Sequence, residues 1–223
     1  DLSGTNNHGT LGGDPQWVEG VIAGALEFDG DDYVETPDHD TLHLWETFTL
    51  AGWIYQTQAL TEGRLIDKCA AGTSNGPHLD QYPGMTLRSC SGACHSGATT
   101  YDLNTWYHAA ITFDQGQKIL YLDGEVDGQG TTGSPLAGNS LPLRVASTCS
   151  ATPSNFFVGL IDDVRVYNRA LSQDDILELL QWTGGANAGP DQFVEAGDTV
   201  TLEGSGPDDA TSFTWEQVII ADE

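Results

Sequence analysis

Apolar and polar residues alternate in several short runs along the chain up to Tyr167, and a period of two predicts strands. In the run Phe48–Tyr55, Phe48, Leu50, Gly52 and Ile54 share one side, and Thr49, Ala51, Trp53 and Tyr55 the other. Successive side chains of a strand point to opposite faces, so this run has one face to bury. Trp106–Phe113 and Lys118–Leu122 predict a hairpin across Asp114–Gln117. Leu26–Val34 alternates around an Asp-Gly pair and predicts another hairpin. Leu65–Lys68, Met85–Arg88 and Leu141–Ala146 predict short strands. Polar stretches between them read as loops: residues 1–20, Thr73–Gly84, Ser89–Thr100 and the glycine-rich run Gly124–Gly138.

The stretch Asn155–Leu180 combines a strand with a helix. Phe157, Ile161, Val164 and Val166 suit a pleated, half-buried surface. Two adjacent acids, Asp162 and Asp163, interrupt them. With strict alternation one acid faces the interior or a sheet rim, where a carboxylate is costly without a cation or hydrogen bonds. From Leu171 to Leu180 the period changes to that of a helix. Ser172 is the expected N-cap, Asp175 completes a capping box, and Ile176, Leu177 and Leu180 form the apolar stripe. Many short strands with turn signals about every ten residues imply a β-sandwich, and one helix does not change that class.

Five segments then carry a family resemblance. GALEFDGDDYVETP at Gly24–Pro37 and GLIDDVRVYNRALSQDDI at Gly159–Ile176 resemble the opening and closing signatures of bacterial laminin-G-like domains of the concanavalin A-like lectin/glucanase group. FTLAGWIY, WYHAAITFD and ILYLDGE resemble its inner strands, in the expected order. The resemblance implies an all-β, concanavalin A-like jelly-roll sandwich with one short C-terminal helix over residues 1–183, its first strand missing. Residues 184–190 (GGANAGP) read as a linker. Residues 191–223 resemble the start of a PKD-like, immunoglobulin-type sandwich, with Val200 and Leu202 alternating and Trp215 at a usual core position. Such a domain needs about 100 residues, so this is a partial immunoglobulin-like sandwich. The chain is expected to run on, or a partner to donate the remaining strands.

Charge narrows the function classes. Lys and Arg number 7 against 33 Asp and Glu, giving a net charge of −26. Such a surface repels nucleic acid and anionic membranes. No run approaches the ~20 apolar residues of a membrane span. No signal peptide is visible, and export to the cell surface or medium is expected, with the targeting signal outside this sequence.

The four cysteines, Cys69, Cys90, Cys94 and Cys149, suggest disulfides in an exported domain. Three pairings exist. Cys90 and Cys94 flank a Ser-Gly-Ala turn that allows a local bridge, which would leave Cys69 with Cys149. Zinc at Cys94 and His95 is the rival, without a second ligand cluster to support it.

The resemblance also implies a structural calcium between the opening and closing signatures. Carried over by position, its ligands are Asp29 and Asp162, with Asp31 and Asp32 as local alternatives. Calcium takes six to eight oxygen ligands, which this chain has in plenty. The alternative is that the Asp-Gly pair is only a turn and Asp162 accepts from backbone amides.

Catalysis has less support. Retaining hydrolysis needs two carboxyl groups about 5 Å apart, and no such array is visible. Asp162 and Asp163 are adjacent, Glu125 and Asp127 follow a turn, and His108 lies in an apolar strand. Recognition fits better. Sugar sites combine an aromatic platform with amides and carboxylates. Thr73–Gly84 offers His78, Asp80, Gln81 and Tyr82, and His95 lies in the next loop. Trp17, Trp45 and Trp182 are other aromatics available for exposure. The sequence therefore reads as a noncatalytic recognition or adhesion module within a larger multidomain protein. Its expected partner is a glycan or an extracellular protein. An enzyme, an enzyme's accessory module and a structural spacer are the alternatives.

Overall fold

The structure, a computed structural model, describes residues 5–22, 24–68, 76–132 and 135–181. Contacts divide the chain into Asp1–Gln181 and Trp182–Glu223. The expected linker (184–190), the segment expected to begin a PKD-like sandwich (191–223), Trp182 and Cys69 lie outside the described residues. Among the described residues fourteen strands run in chain order: β1 (Thr10–Gly12), β2 (Gln16–Glu19), β3 (Gly24–Phe28), β4 (Tyr33–Thr36), β5 (Thr47–Gln56), β6 (Gly63–Asp67) and β7 (His78–Tyr82). After these come β8 (Thr86–Ser89), β9 (His95–Ser96), β10 (Trp106–Asp114), β11 (Gln117–Leu122), β12 (Glu125–Thr131), β13 (Leu143–Val145) and β14 (Gly159–Tyr167), then helix α1 (Gln173–Gln181).

The strands form two sheets of seven. The front sheet has the order β1-β4-β13-β6-β7-β8-β9, and the back sheet β12-β11-β10-β5-β14-β3-β2. All neighbours are antiparallel. This is the expected all-β sandwich with one short helix.

Alternation in β5 sets the back sheet. Phe48, Leu50 and Ile54 point inward and pair across β10 with Phe113, Ile111 and Tyr107. Thr49, Ala51, Trp53 and Tyr55 point outward. The outward alanines Ala51 and Ala110 leave room for α1, whose Ile176 and Leu179 pack there with Leu171 and Tyr121. The buried stripe is thus Ile176 and Leu179, while Leu177 and Leu180 are half-buried. The capping box forms as expected. Ser172 Oγ accepts from Asp175 N–H at 3.1 Å, and Asp175 Oδ2 accepts from Ser172 N–H at 2.9 Å.

Several segments differ from the sequence expectation. Residues 1–20 contain β1 and β2. The Asp-Gly pair near residue 30 does not close a hairpin: β3 lies in the back sheet and β4 in the front sheet, so the turn passes the chain between layers. Gly124–Gly138 contains β12, an edge strand. Thr73–Gly84 contains β7, which pairs on both sides and is buried except at Tyr82. The strand expected at Leu141–Ala146 is shorter, Leu143–Val145.

The largest difference concerns Asp162 and Asp163. A β-bulge lies between Asp162 and Arg165, with Asp163 at a left-handed φ of 46°. Asp162 pairs with Trp53 and Arg165 with Ala51, so both lie on the outward face. The extra residue breaks the alternation that would have forced one acid inside. Asp162 is still buried, because the β2–β3 connection folds over it. Its carboxylate accepts from Ile22 N–H at 2.7 Å and Asp163 N–H at 2.6 Å.

Candidate functional site

The site is built on the outward face of the front sheet. Register places Asp80 of β7 directly between Arg64 of β6 and Arg88 of β8. Cross-strand partners share a face, so three charged side chains meet there. Asp80 has no solvent exposure. Its Oδ1 accepts from Arg88 Nε at 3.1 Å and its Oδ2 from Arg64 Nη1 at 3.1 Å, with Arg88 Nη2 also on Oδ2. Glu62 Oε1 completes the cluster, 2.9 Å from Arg64 Nη2 and 2.6 Å from Arg88 Nη2. Burial pushes the Asp80 carboxyl up to about 7, against the pull of both guanidiniums.

His78 lies beside this cluster. Its Nδ1 accepts from Cys90 N–H at 3.2 Å, and its Nε2 is 3.2 Å from Asp80 Oδ2 without hydrogen-bond geometry. Burial and the nearby charges of Arg64, Arg88 and Lys118 hold it well below the ordinary histidine range, so it stays neutral. Gln81 points to the other face, where its amide donates to the Leu60 and Tyr82 carbonyls. Of the residues expected to touch a ligand here, His78, Asp80 and Gln81 are therefore buried supports. Their polarity made β7 look like a loop.

Tyr82 is different. It ends β7 with 39% of its surface exposed. The Arg88 guanidinium lies over its ring, 3.8 Å from the centroid. That contact fixes the ring while part of it stays open to solvent. His95, in β9, is half-buried with its ring packed over Gly130 of β12. The Cys90–Cys94 disulfide is present. Lys118 anchors its loop, donating to the carbonyls of Ser89 at 3.2 Å, Ser91 at 2.8 Å and Ala93. Cys149 is buried, and its expected partner Cys69 is outside the described residues. The sequence reading missed Glu62, Arg64 and Arg88. Their signal was parity: Arg88 faces outward once β8 is in register, and cations are scarce.

The candidate metal ligands fall in two places. Phe28 pairs with Gly159 and Leu26 with Ile161, which puts Asp162 level with Ala25. Asp29 is four residues away along that strand, roughly 13 Å at ~3.3 Å per residue. Strand register thus keeps Asp29 and Asp162 apart. Asp31 instead meets Asp14 and Asp32, with ligand oxygens within 4.8 Å of one another. Asp32 is buried and accepts from Asp14 N–H at 2.7 Å and Asp29 N–H at 3.1 Å. The charge of Asp29, foremost, raises the Asp31 carboxyl. Among the described residues no Lys or Arg pairs with this group. Crowded carboxylate oxygens without a cation fit a hard divalent ion.

Other candidates are occupied. Asp127 is in edge strand β12 and accepts from Thr99 N–H at 2.8 Å and Ala98 N–H at 3.2 Å. Asp163 accepts from Arg165 Nε at 2.7 Å. His108 is buried on the outward face of the back sheet, edge-on to Trp53, and burial lowers its pKa to about 4. Trp17 is 69% exposed on edge strand β2. Trp45 is half-buried, with Lys68 Nζ 5.7 Å from its ring centroid.

A profile of the concanavalin A-like lectin/glucanases superfamily matches residues 28–177. The chain belongs to that superfamily. Similar solved structures include domain 4 of AbnA, an extracellular arabinanase from Geobacillus stearothermophilus in complex with arabinotriose. That likeness has 22% identity and a TM-score of 0.63, over 78% of this chain and 88% of the other. The binding domain of Paraclostridial Mosquitocidal Protein 1 has 19% identity and a TM-score of 0.63, over 81% of this chain and 48% of its own. The binding domain of botulinum neurotoxin DC, solved with SialylT, has 16% identity and a TM-score of 0.62, over 84% and 49%. The chain thus spans about half the length of those toxin domains. At these identities the likeness concerns the fold. Among curated proteins no match is significant. No helix among the described residues is long and apolar enough to cross a membrane.

Proposed function

We propose that this domain is a noncatalytic glycan-recognition module acting outside the cell, on its own or beside a polysaccharide-active domain. The observation that carries this reading is the Tyr82 platform. An exposed ring is held by Arg88, Arg88 is held by buried Asp80, and Glu62 offers acceptor oxygens at the rim. Loops and strand ends on a rigid sandwich are where binding residues usually sit. The solved relatives' own ligands, arabinotriose and SialylT, favour a glycan over a purely structural role. A protein partner is the second reading, favoured by the same neurotoxin binding domain having been solved in complex with rat synaptotagmin II. Tyr82→Ala is expected to weaken glycan binding by roughly tenfold while leaving the melting temperature nearly unchanged, since ring stacking contributes on the order of 1 kcal/mol. Calorimetric titration and thermal melting check both halves. Unchanged affinity would move the site off this face.

Calcium enters as a structural ion at Asp14, Asp31 and Asp32, with Asp29 adjoining. When bound it would neutralise crowded carboxylates and tie the β1–β2 turn to the β3–β4 connection. Chelation is expected to lower the melting temperature, because an ion that binds only the folded state stabilises it by mass action. Asp31→Asn should remove that response. Asp162→Asn should keep it, at a stability cost of about 1–3 kcal/mol from two weakened amide contacts. A melting curve indifferent to exhaustive chelation would refute the ion.

A further inference from the structure

The chain has seven Lys and Arg side chains in all, and each is a described residue with partners. Arg64 and Arg88 share Glu62 and Asp80. Arg144 pairs with Glu35 at 2.6 Å and donates to the Thr148 and Ser150 carbonyls at 2.8 and 2.7 Å. Lys68 pairs with Asp38 at 2.5 Å. Lys118 is enclosed by three carbonyls. Arg165 pairs with Asp163 and Arg169 with Asp175.

We infer that the glycan taken at the Tyr82 platform is neutral, and that uronate-, sialate- or sulfate-bearing glycans are rejected. The inference rests on the reading of this face as a glycan site. Four of the cations lie on the front sheet or its rim, and an anionic sugar approaching them would have to displace a carboxylate already in place. At Arg64 and Arg88 that competitor is Asp80, fixed by the strand register and needing no recruitment from solution. Glu62, the most exposed acid of the cluster, would face the incoming anion directly. Like charges brought together in a half-desolvated site repel much more than in bulk water. Beyond the site, a net charge of −26 repels any anion at longer range. A neutral sugar meets none of these costs. Its hydroxyls can donate to Glu62 and accept from guanidinium N–H groups, and its apolar face can lie on Tyr82. The charges of Arg64 and Arg88 are already matched by Glu62 and Asp80, so their remaining N–H groups act on a ligand as hydrogen-bond donors and not as an unpaired positive charge.

The test titrates the intact chain at pH 8 with two matched panels. The neutral panel holds arabino-, xylo-, galacto-, manno- and gluco-oligosaccharides. The acidic panel holds sialyllactose, oligogalacturonates, glucuronate-capped xylo-oligosaccharides and sulfated galacto-oligosaccharides. The expected result is binding within the neutral panel, changing less than about twofold between 50 and 300 mM NaCl because no net ion pair forms. An added uronate, sialate or sulfate is expected to weaken the same binder at least about tenfold, as one like-charge contact at this depth would. Glu62→Gln should recover a good part of that loss, with its melting temperature measured alongside. Acidic glycans bound as tightly as neutral ones, or binding that weakens steeply with salt, overturns the inference and leaves the glycan reading standing. A chain that binds neither panel overturns the glycan reading itself.

Discussion

Replacing Asp80 with alanine is expected to destabilise the domain by about 3–5 kcal/mol, the usual cost of removing one partner from a buried ion pair. Asp80 has no exposure, and the guanidiniums beside it have little. Without it, Arg64 and Arg88 keep only Glu62 between them, and their charges repel within the face. The loss would also spread outward, because Arg88 could no longer hold the Tyr82 ring. Asp80→Asn should cost less, since the amide can still accept one hydrogen bond. The two variants also separate by pH. The Asp80 carboxyl titrates near 7 when folded, above its ordinary value near 4. Stability from that shift is fully present below pH ~4 and is lost as pH rises through about 7. The difference between wild type and Asp80→Asn should therefore change across that window and flatten above it. Urea unfolding at several pH values measures both effects. A cost below about 1 kcal/mol for the alanine variant would show that the cluster is solvated and not a buried support.

Phe113→Ala is expected to cost a similar 3–5 kcal/mol, for an unrelated reason. Phe113 and Phe48 are register partners on β10 and β5, stacked with centroids 5.0 Å apart, and both are fully buried. Removing one ring leaves a cavity between the sheets and loses the aromatic pair, itself about 0.5–1.5 kcal/mol. Trp17→Ala removes a larger ring, yet Trp17 is an exposed residue on an edge strand. Its effect should stay within about 0.5 kcal/mol. The pair of variants separates burial from size, and equal losses in the two would contradict the placement of the core.

The strands that were legible in the sequence are those where alternation and burial agree. In β5 and β10 one face is apolar and the other mixed, so a period of two marks them, and β11 follows from the turn that joins it to β10. β7 was not legible, because His78, Asp80 and Gln81 are polar and buried at once. Their partners come from β6, β8 and the disulfide loop, which no local pattern shows. β12 was obscured by its glycines. Gly128 and Gly130 leave space for the β9 chain and the His95 ring to lie against the strand, so a loop-like composition serves close packing. The acids of β14 were legible as unusual, but their placement depends on a bulge. One extra residue sets Asp162 and Arg165 on the outward face, where Asp162 accepts from the β2–β3 connection. The platform was half legible: Tyr82 was found as an aromatic among polar neighbours, while Arg64, Arg88 and Glu62 converge only through strand register.

The contact between β9 and β12 has a consequence for how the domain meets other chains. Ala98 N–H donates to the Asp127 carbonyl at 2.9 Å, and Asp127 Oδ1 takes the next amide, so the chain just after β9 is tied to β12 across the two sheets. A strand edge with unpaired amides is a template for pairing with foreign strands. On this side the carbonyl and carboxylate of Asp127 are taken by the chain that follows β9, which covers part of the β12 edge. The opposite side ends in β1 and β2, both short, with Pro15 just before β2 and acids close by. Crowded on a surface or strung along a filament, copies of this domain would thus resist zipping together through their backbones, and association would be left to side chains.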